Sequence, residues 1–210
     1  MTDDLVFYTS PMSRGRIVRW MLEEVGRPYR TELVGFGPAM KAEAYRAINP
    51  MGKVPALTHG ATVVTECAAI LAYLADACPE AGLAPEPAAR GAYYRWLFFC
   101  AGPVEAAVTN KVLGVTVPDD PRMRGMVGYG SLEAVLDTLE GAVSDRKFVA
   151  GERFSAADLY LASHLGWGMQ FGTLPRRPAF EAYADRHAAR PAAVRAREID
   201  DGLLAQQAAS

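Results

Sequence analysis

Cysteine is scarce in this chain and badly spaced for joint work. Cys67, Cys78 and Cys100 are odd in number and include no C-x-x-C pair, which argues against a disulfide framework, a zinc site and a dithiol redox motif. Each is expected as a small buried hydrophobe. Histidine is just as thin: His164 and His187 fall on helical stretches and His59 in a turn, without the neighbours a metal needs, so no metal is expected. Neither charge dominates. With a net charge of -2 over 210 residues, the chain offers no field for a polyanion, and no nucleic-acid partner is expected. The basic stretch "RHAARPAAVRAR" is followed at once by "EIDD" and reads as a solvated helix face. Apolar runs long enough to cross a bilayer are missing, so no membrane contact is expected. A charged-then-apolar leader is missing too, because Asp3 and Asp4 precede a run that breaks at Thr9, and the expected location is the cytoplasm.

What is present is a change of grammar partway along. Residues 5–9 suit a strand, and Ile17, Val18, Met21, Leu22 and Val25 follow the spacing of a core-facing helix that Gly26 and Pro28 would end. "YRTELVGF" reads as a second strand, "MKAEAYRAI" as a short helix, "VPAL" and "TVVT" as third and fourth strands around His59-Gly60-Ala61, and "ECAAILAYLADA" as a helix. The order βαβαββα makes a compact α/β unit. After Pro79 comes the proline- and glycine-rich linker "PEAGLAPEPAARG", and beyond it helices are expected over 88–114, 121–144, 155–169, 178–188 and 191–198, with Gly102-Pro103 kinking the first. The expected fold class is α/β plus all-α, with domains at 1–80 and 87–205.

Local segments then raise chemical questions. In "YTSPMS", Ser10 and Ser13 stand where the first strand hands over to the first helix, and either they cap that helix or they hold something there. In "NPMGKVPALT", Pro55 opens a strand in which it cannot donate to the ladder, so the Val54-Pro55 bond is either a plain trans strand start or a cis bond in a tight turn. In "VTECAAI", Glu66 and Cys67 fall at a strand-to-helix junction whose free N-H groups and dipole favour an anion, or where Thr65 or Glu66 merely caps the helix. In "FSAADLYLASHL", Ser155 and Asp158 have capping-box spacing with Phe154 just outside, a structural signature.

Taken together, "YTSPMSRGRIVRWMLEEVGRPY", "NPMGKVPAL", "TECAAILAYLAD" and "VAGERFSAADLYLASHLGW" resemble, in order and separation, the cytosolic glutathione S-transferases, in particular bacterial serine-type members with a phi- or theta-like N-terminal motif. The resemblance covers nearly the whole chain and implies a thioredoxin-like domain followed by a helical one. It implies that Ser13 contacts the glutathione sulfur, leaving Ser10 as N-cap with Pro11 at the first helical position; spacing varies among serine-type relatives, so Ser10 stays the alternative. No cysteine stands at either position, which argues against a mixed-disulfide mechanism. By the same resemblance Lys41 and Lys53 reach the glycine carboxylate, the backbone of Val54 before Pro55 pairs with the cysteinyl unit like an added strand, Glu66 meets the γ-glutamyl ammonium, and the N-H of residue 67 meets its carboxylate. The sequence departs from the family where most relatives have serine and this chain has Cys67, a weak donor. Met40 likewise stands where relatives often have histidine.

The implied chemistry is thiolate attack on a small hydrophobic electrophile lying against Met12, Tyr94, Phe98, Glu105 and Trp167, with Met169 and Phe171 nearby; aromatic residues at helical spacing also read as core. The resemblance implies glutathione as co-substrate, and a homodimer is expected from the resemblance alone. A regulatory or scaffold protein that binds glutathione without turnover is the rival reading, because fold does not fix function. A glutathione-dependent peroxidase or isomerase would need the same site.

Overall fold

The computed structural model describes residues 4–209. It divides into two compact units, one running up to Leu83 and resuming at Arg190, the other spanning Ala84–Ala189. The first unit holds a four-stranded mixed sheet in the order β2-β1-β3-β4. Its strands are β1 (Leu5–Thr9), β2 (Arg30–Leu33), β3 (Ala56–His59) and β4 (Thr62–Thr65). β1 runs parallel to β2 and antiparallel to β3, and β3 antiparallel to β4, which is the arrangement expected of a thioredoxin-like domain. Leu5, Val6 and Phe7 are all buried, as a central strand covered on both faces requires.

Helix α1 (Gly15–Val25) buries the predicted stripe of Ile17, Val18, Met21, Leu22 and Val25, each such side chain contributing about 1.5–3 kcal/mol. It packs along α4 (Cys67–Ala77). The stretch "MKAEAYRAI", expected as one helix, is two single-turn pieces, α2 (Pro38–Lys41) and α3 (Glu43–Arg46). Ala42 between them is extended, and the break lets Met40 and Tyr45 both turn inward onto Val34, Tyr8, Ile48 and Val54. Met40 therefore serves a small core beneath the loop that follows. β3 begins after Pro55 and not at Val54, and the Val54-Pro55 bond is cis.

In the second unit, α5 (Gly91–Phe99) runs through a π-helical turn at Cys100–Val104 into α6 (Glu105–Val112), so Gly102-Pro103 interrupts the run as expected. The run 121–144 is not one helix: α7 (Pro121–Met126) and α8 (Leu132–Val143) are separated by a turn through Gly128 and Gly130. Asp120 and Ser131 cap these two helices, accepting from Met123 N and Ala134 N. α9 (Ala156–Gln170) starts in the expected capping box, with Ser155 N and Oγ both donating to Asp158 Oδ2 at 2.8 and 2.7 Å. Asp158 is fully buried, and its other oxygen accepts from Val149 N and Tyr183 Oη of α10 (Pro178–Ala188).

The last helix, α11 (Pro191–Ala209), is much longer than the expected 191–198, and chain order groups it with the helices before it. By packing it joins the first unit, lying along α1. Four charged residues of α1 meet their complements in reverse order: Glu24 with Arg190, Glu23 with Arg195, Arg19 with Asp200, Arg16 with Asp201. The basic stretch read as a solvated face is thus half of an antiparallel charge match. Arg19 and Asp200 are buried and 2.7 Å apart. Burial holds the Asp200 carboxyl above its usual range against the opposing pull of Arg19. Among the described residues no helix is long and apolar enough to cross a membrane.

Candidate active site

At the end of β1 the chain does not enter the helix directly. Residues 11–14 form a turn, and α1 begins only at Gly15. Two donors fasten the turn: Ser13 Oγ donates to the Ser10 carbonyl at 2.6 Å, and Arg16 Nε donates to the Pro11 carbonyl at 2.6 Å. The expectation of Ser10 as N-cap with Pro11 at the first helical position is therefore corrected. Ser13 instead accepts the Gly15 N-H at 2.9 Å, while Arg14, in the cap position, gives the helix no side-chain bond. Gly15 is glycine for a steric reason, since a Cβ there would overlap Thr9 Oγ1. Ser10 is buried and Ser13 half-buried, so of the two hydroxyls Ser13 is nearer the surface.

The loop before Pro55 is built around polar side chains that hold carbonyls. Asn49, buried, donates through Nδ2 to the Lys53 carbonyl at 2.8 Å, and Tyr45 Oη donates to the same oxygen at 2.6 Å. Burial, with Tyr8 adding a smaller push, raises the Tyr45 phenol to about 12, so it remains a donor. Lys41 Nζ folds back on the loop, donating to the Met51 and Gly52 carbonyls, each at 3.0 Å. A Cβ on Gly52 would collide with the Met40 carbonyl, and its φ of 57° is one that glycine adopts without strain. The side chain of Lys53 is exposed. Sequence reading missed Tyr45 and Asn49, whose only signal was the turn-forming Asn-Pro after a short helix.

The strand register brings these pieces to one end of the sheet. Tyr8 lies opposite Ala56, and Ala56 opposite Thr65, so one step further along the ladder Pro55 comes level with Thr9 and with Glu66. Glu66 has φ 67° and ψ 126° and is the one non-glycine residue with positive φ among those described. Strain of this kind costs about 1–3 kcal/mol and clusters where a ligand is held. The Glu66 side chain makes no cap bond to α4 and is exposed, so the simple capping reading of this junction is set aside. Cys67 opens the helix, buried, with Sγ donating to the Arg14 carbonyl at 3.6 Å. That bond places the start of α4 beside the turn that carries Ser13.

In the second unit Tyr94 and Phe98 project from the exposed face of α5, 41% and 67% exposed, while Tyr93, Trp96 and Leu97 of the same helix supply its core face. The aromatic stripe thus separates into core and surface by position. The Tyr94 and Phe98 rings lie 6.5 Å apart, and Trp167 sits edge-on to the exposed Phe171 at 6.0 Å. Met169 is buried. Glu105 begins α6 directly after the π turn, its Oε1 3.9 Å from His164 Nε2. Met12 belongs to the first unit and is 55% exposed. Cys67, Cys78 and Cys100 are buried free thiols, and burial pushes the Cys100 thiol well up. Among the described residues no group of His, Cys, Asp and Glu could hold a metal ion.

Comparison with known proteins bears on the family and the fold. Residues 9–77 match the family model for the glutathione S-transferase N-terminal domain, and residues 129–191 that for the C-terminal domain. Glutathione S-transferase GstA of Escherichia coli O157:H7 is 32% identical over 166 residues, 77% of this chain and 78% of that protein. The maleylacetoacetate isomerase of Pseudomonas aeruginosa is 29% identical over 184 residues, 83% of this chain and 86% of that protein. A solved glutathione transferase homologue from Sulfitobacter with bound glutathione superposes with a TM-score of 0.75 at 27% identity, covering 94% of this chain and 98% of that one.

Proposed function

Because the chain belongs to the glutathione S-transferase family and is by that membership a glutathione transferase, we propose that its first unit binds glutathione and that Ser13 makes the thiol anionic for attack on a small hydrophobic electrophile. The observation that carries this reading is the Ser13 hydroxyl: half-buried at the mouth of α1, its oxygen already polarised by the Gly15 N-H. A proton now given to the Ser10 carbonyl can swing to a sulfur.

The magnitudes decide whether that is enough. A hydrogen bond to a charged group contributes about 1.5–3 kcal/mol, and giving up the neutral bond to Ser10 costs about 0.5–1.5 kcal/mol. The start of α1 adds about 0.3–1 kcal/mol for an anion. At about 1.36 kcal/mol per unit, the net lowers a thiol from near 8.5 by roughly one to two units. At neutral pH thiolate then rivals or exceeds thiol, and only thiolate attacks.

The rest of the tripeptide has partners in the same end of the sheet. The Glu66 carboxylate takes the γ-glutamyl ammonium, and the N-H groups opening α4 take its carboxylate. With its S-H engaged on the Arg14 carbonyl, Cys67 offers that carboxylate its backbone rather than its side chain. Val54, just outside the ladder, pairs with the cysteinyl backbone as an added strand. Lys53 and the remaining donor of Lys41 face the glycine carboxylate. The side chains proposed to contact the electrophile are, in the first unit, Met12 and, separately, in the second, Tyr94, Phe98, Glu105 and Trp167. The protein works as a homodimer in the cytoplasm, its oligomeric state open to light scattering at micromolar concentration.

Retention on immobilised glutathione, together with conjugation of a chlorodinitrobenzene-type reagent, tests the reading. Retention without turnover on varied electrophiles would leave a glutathione-binding scaffold instead. The likeness to a maleylacetoacetate isomerase favours one further reading, glutathione-dependent cis-trans isomerisation at the same thiolate. Turnover of a cis enone diacid without loss of free thiol would select it.

A further inference from the structure

Resting on the reading of Ser13 as the thiol-activating group, we propose that Asp201, in the last helix, is a positioning residue for the turn that carries Ser13, acting through Arg16. The two donors on one edge of the Arg16 guanidinium are used together: Nε on the Pro11 carbonyl and Nη2 on Asp201 Oδ1, both at 2.6 Å. A planar fork so pinned has its orientation set by the carboxylate and transmits it to the carbonyl. Pro11 has no N-H, so this carbonyl is its one polar backbone group.

The contact matters most in the reactive state. With the site at rest, successive carbonyls of the turn are each held, that of Ser10 by Ser13 Oγ and that of Pro11 by Arg16 Nε. When the Ser13 hydroxyl turns to a thiolate, the Ser10 carbonyl loses its 2.6 Å donor and, among the described residues, keeps Thr9 Oγ1 at 3.4 Å. The Arg16 bond then remains as a short side-chain tie on the turn, beside that of Cys67 to the Arg14 carbonyl. The backbone of Asp201 is held beside it, because the neighbouring Asp200 is buried against Arg19, one helical turn beyond Arg16 on α1. A helix remote in sequence thereby sets the geometry of the hydroxyl.

The test uses Asp201→Ala, Asp201→Asn and, as a control, Arg195→Ala, which breaks the more distant exposed pair with Glu23 at 3.2 Å. Read-outs are the ultraviolet titration of bound glutathione, steady-state kinetics, and hydrogen exchange of the Gly15 amide. In Asp201→Ala the bound thiol midpoint should rise by about half a unit, a roughly threefold loss of thiolate stabilisation. Its kcat should fall roughly two- to threefold with KM for glutathione nearly unchanged, and Gly15 exchange should quicken. Asp201→Asn keeps an oxygen for Arg16 and should restore most of each, and Arg195→Ala should match the parent. Unchanged midpoint and exchange in Asp201→Ala would overturn the proposal while leaving the Ser13 reading intact. So would equal effects of Asp201→Ala and Arg195→Ala, which would mean a general tether, or a fall in the midpoint, which would mean that Asp201 only masks the Arg16 charge. A parent protein that leaves the thiol unshifted would remove the Ser13 reading and this proposal with it.

Discussion

Replacing Ser13 by alanine removes one oxygen with two engagements, and the structure separates their consequences. The Gly15 N-H loses its acceptor and the Ser10 carbonyl its donor, a cap-scale loss of about 0.5–2 kcal/mol. For a chain of this size that lowers Tm by roughly 1–8 °C, which leaves the protein folded at assay temperature. The chemical loss is the donor to the thiolate, about 1.5–3 kcal/mol, less the bond of about 0.5–1.5 kcal/mol that the parent gives up at Ser10, or roughly one unit in the midpoint of bound glutathione. At neutral pH the thiolate fraction then falls from about half to roughly a tenth, and kcat drops by about fivefold. The raised thiol is a somewhat better nucleophile once ionised, with a Brønsted slope of about 0.4–0.5. Activity should therefore return as pH climbs past the new midpoint, instead of staying low at every pH. Ultraviolet titration of the bound thiol and a pH-rate profile with a chlorodinitrobenzene-type reagent measure both. A variant whose rate falls while its midpoint stays at the parent value would refute the reasoning, as would a midpoint that moves in Ser10→Ala and not in Ser13→Ala.

Glu66→Gly should relieve the positive φ, worth about 1–3 kcal/mol, and so raise Tm while weakening glutathione binding by loss of the ammonium's partner; calorimetry of both quantities checks the trade, and a drop in Tm would count against strain at this residue. Tyr29 and Tyr45, both held at about 12 chiefly by burial, keep protons that the unfolded chain gives up near 10. Their contribution is thus complete below pH 10 and is lost as pH rises from 10 through 12, which tyrosinate absorbance and chemical denaturation should show together. Asp158→Ala empties a buried hub that accepts from Val149, Ser155 and Tyr183; several unsatisfied donors at about 1–3 kcal/mol each should destabilise the second unit by several kcal/mol, seen as a large fall in the denaturation midpoint.

Residues whose role is periodic were legible. The stripe Ile17 to Val25, the strands around His59-Gly60, and the Ser155-Asp158 box each carry their partner at a fixed spacing in the same segment, so pattern and structure coincide. The pieces that escaped share the opposite property. Tyr45 and Asn49 act by donating to a carbonyl several residues away, and any polar side chain in a loop looks alike until the backbone is folded. Ser13 was picked out through resemblance, but its bond to Gly15 was not, because the extra turn at residues 11–14 depends on Arg16 reaching back to Pro11. Arg16 itself is held from residue 201, on a helix whose charges each read alone as solvent-facing. Matching Arg16, Arg19, Glu23 and Glu24 against Arg190, Arg195, Asp200 and Asp201 needs the knowledge that α1 and α11 run alongside. A single exposed pair contributes about 0–1 kcal/mol, too little to impose that pairing; the buried Arg19–Asp200 bond, costly to leave half-made at about 3–5 kcal/mol, does impose it. The outer pairs follow from the register it sets, and through Arg16 that register extends to the turn bearing Ser13.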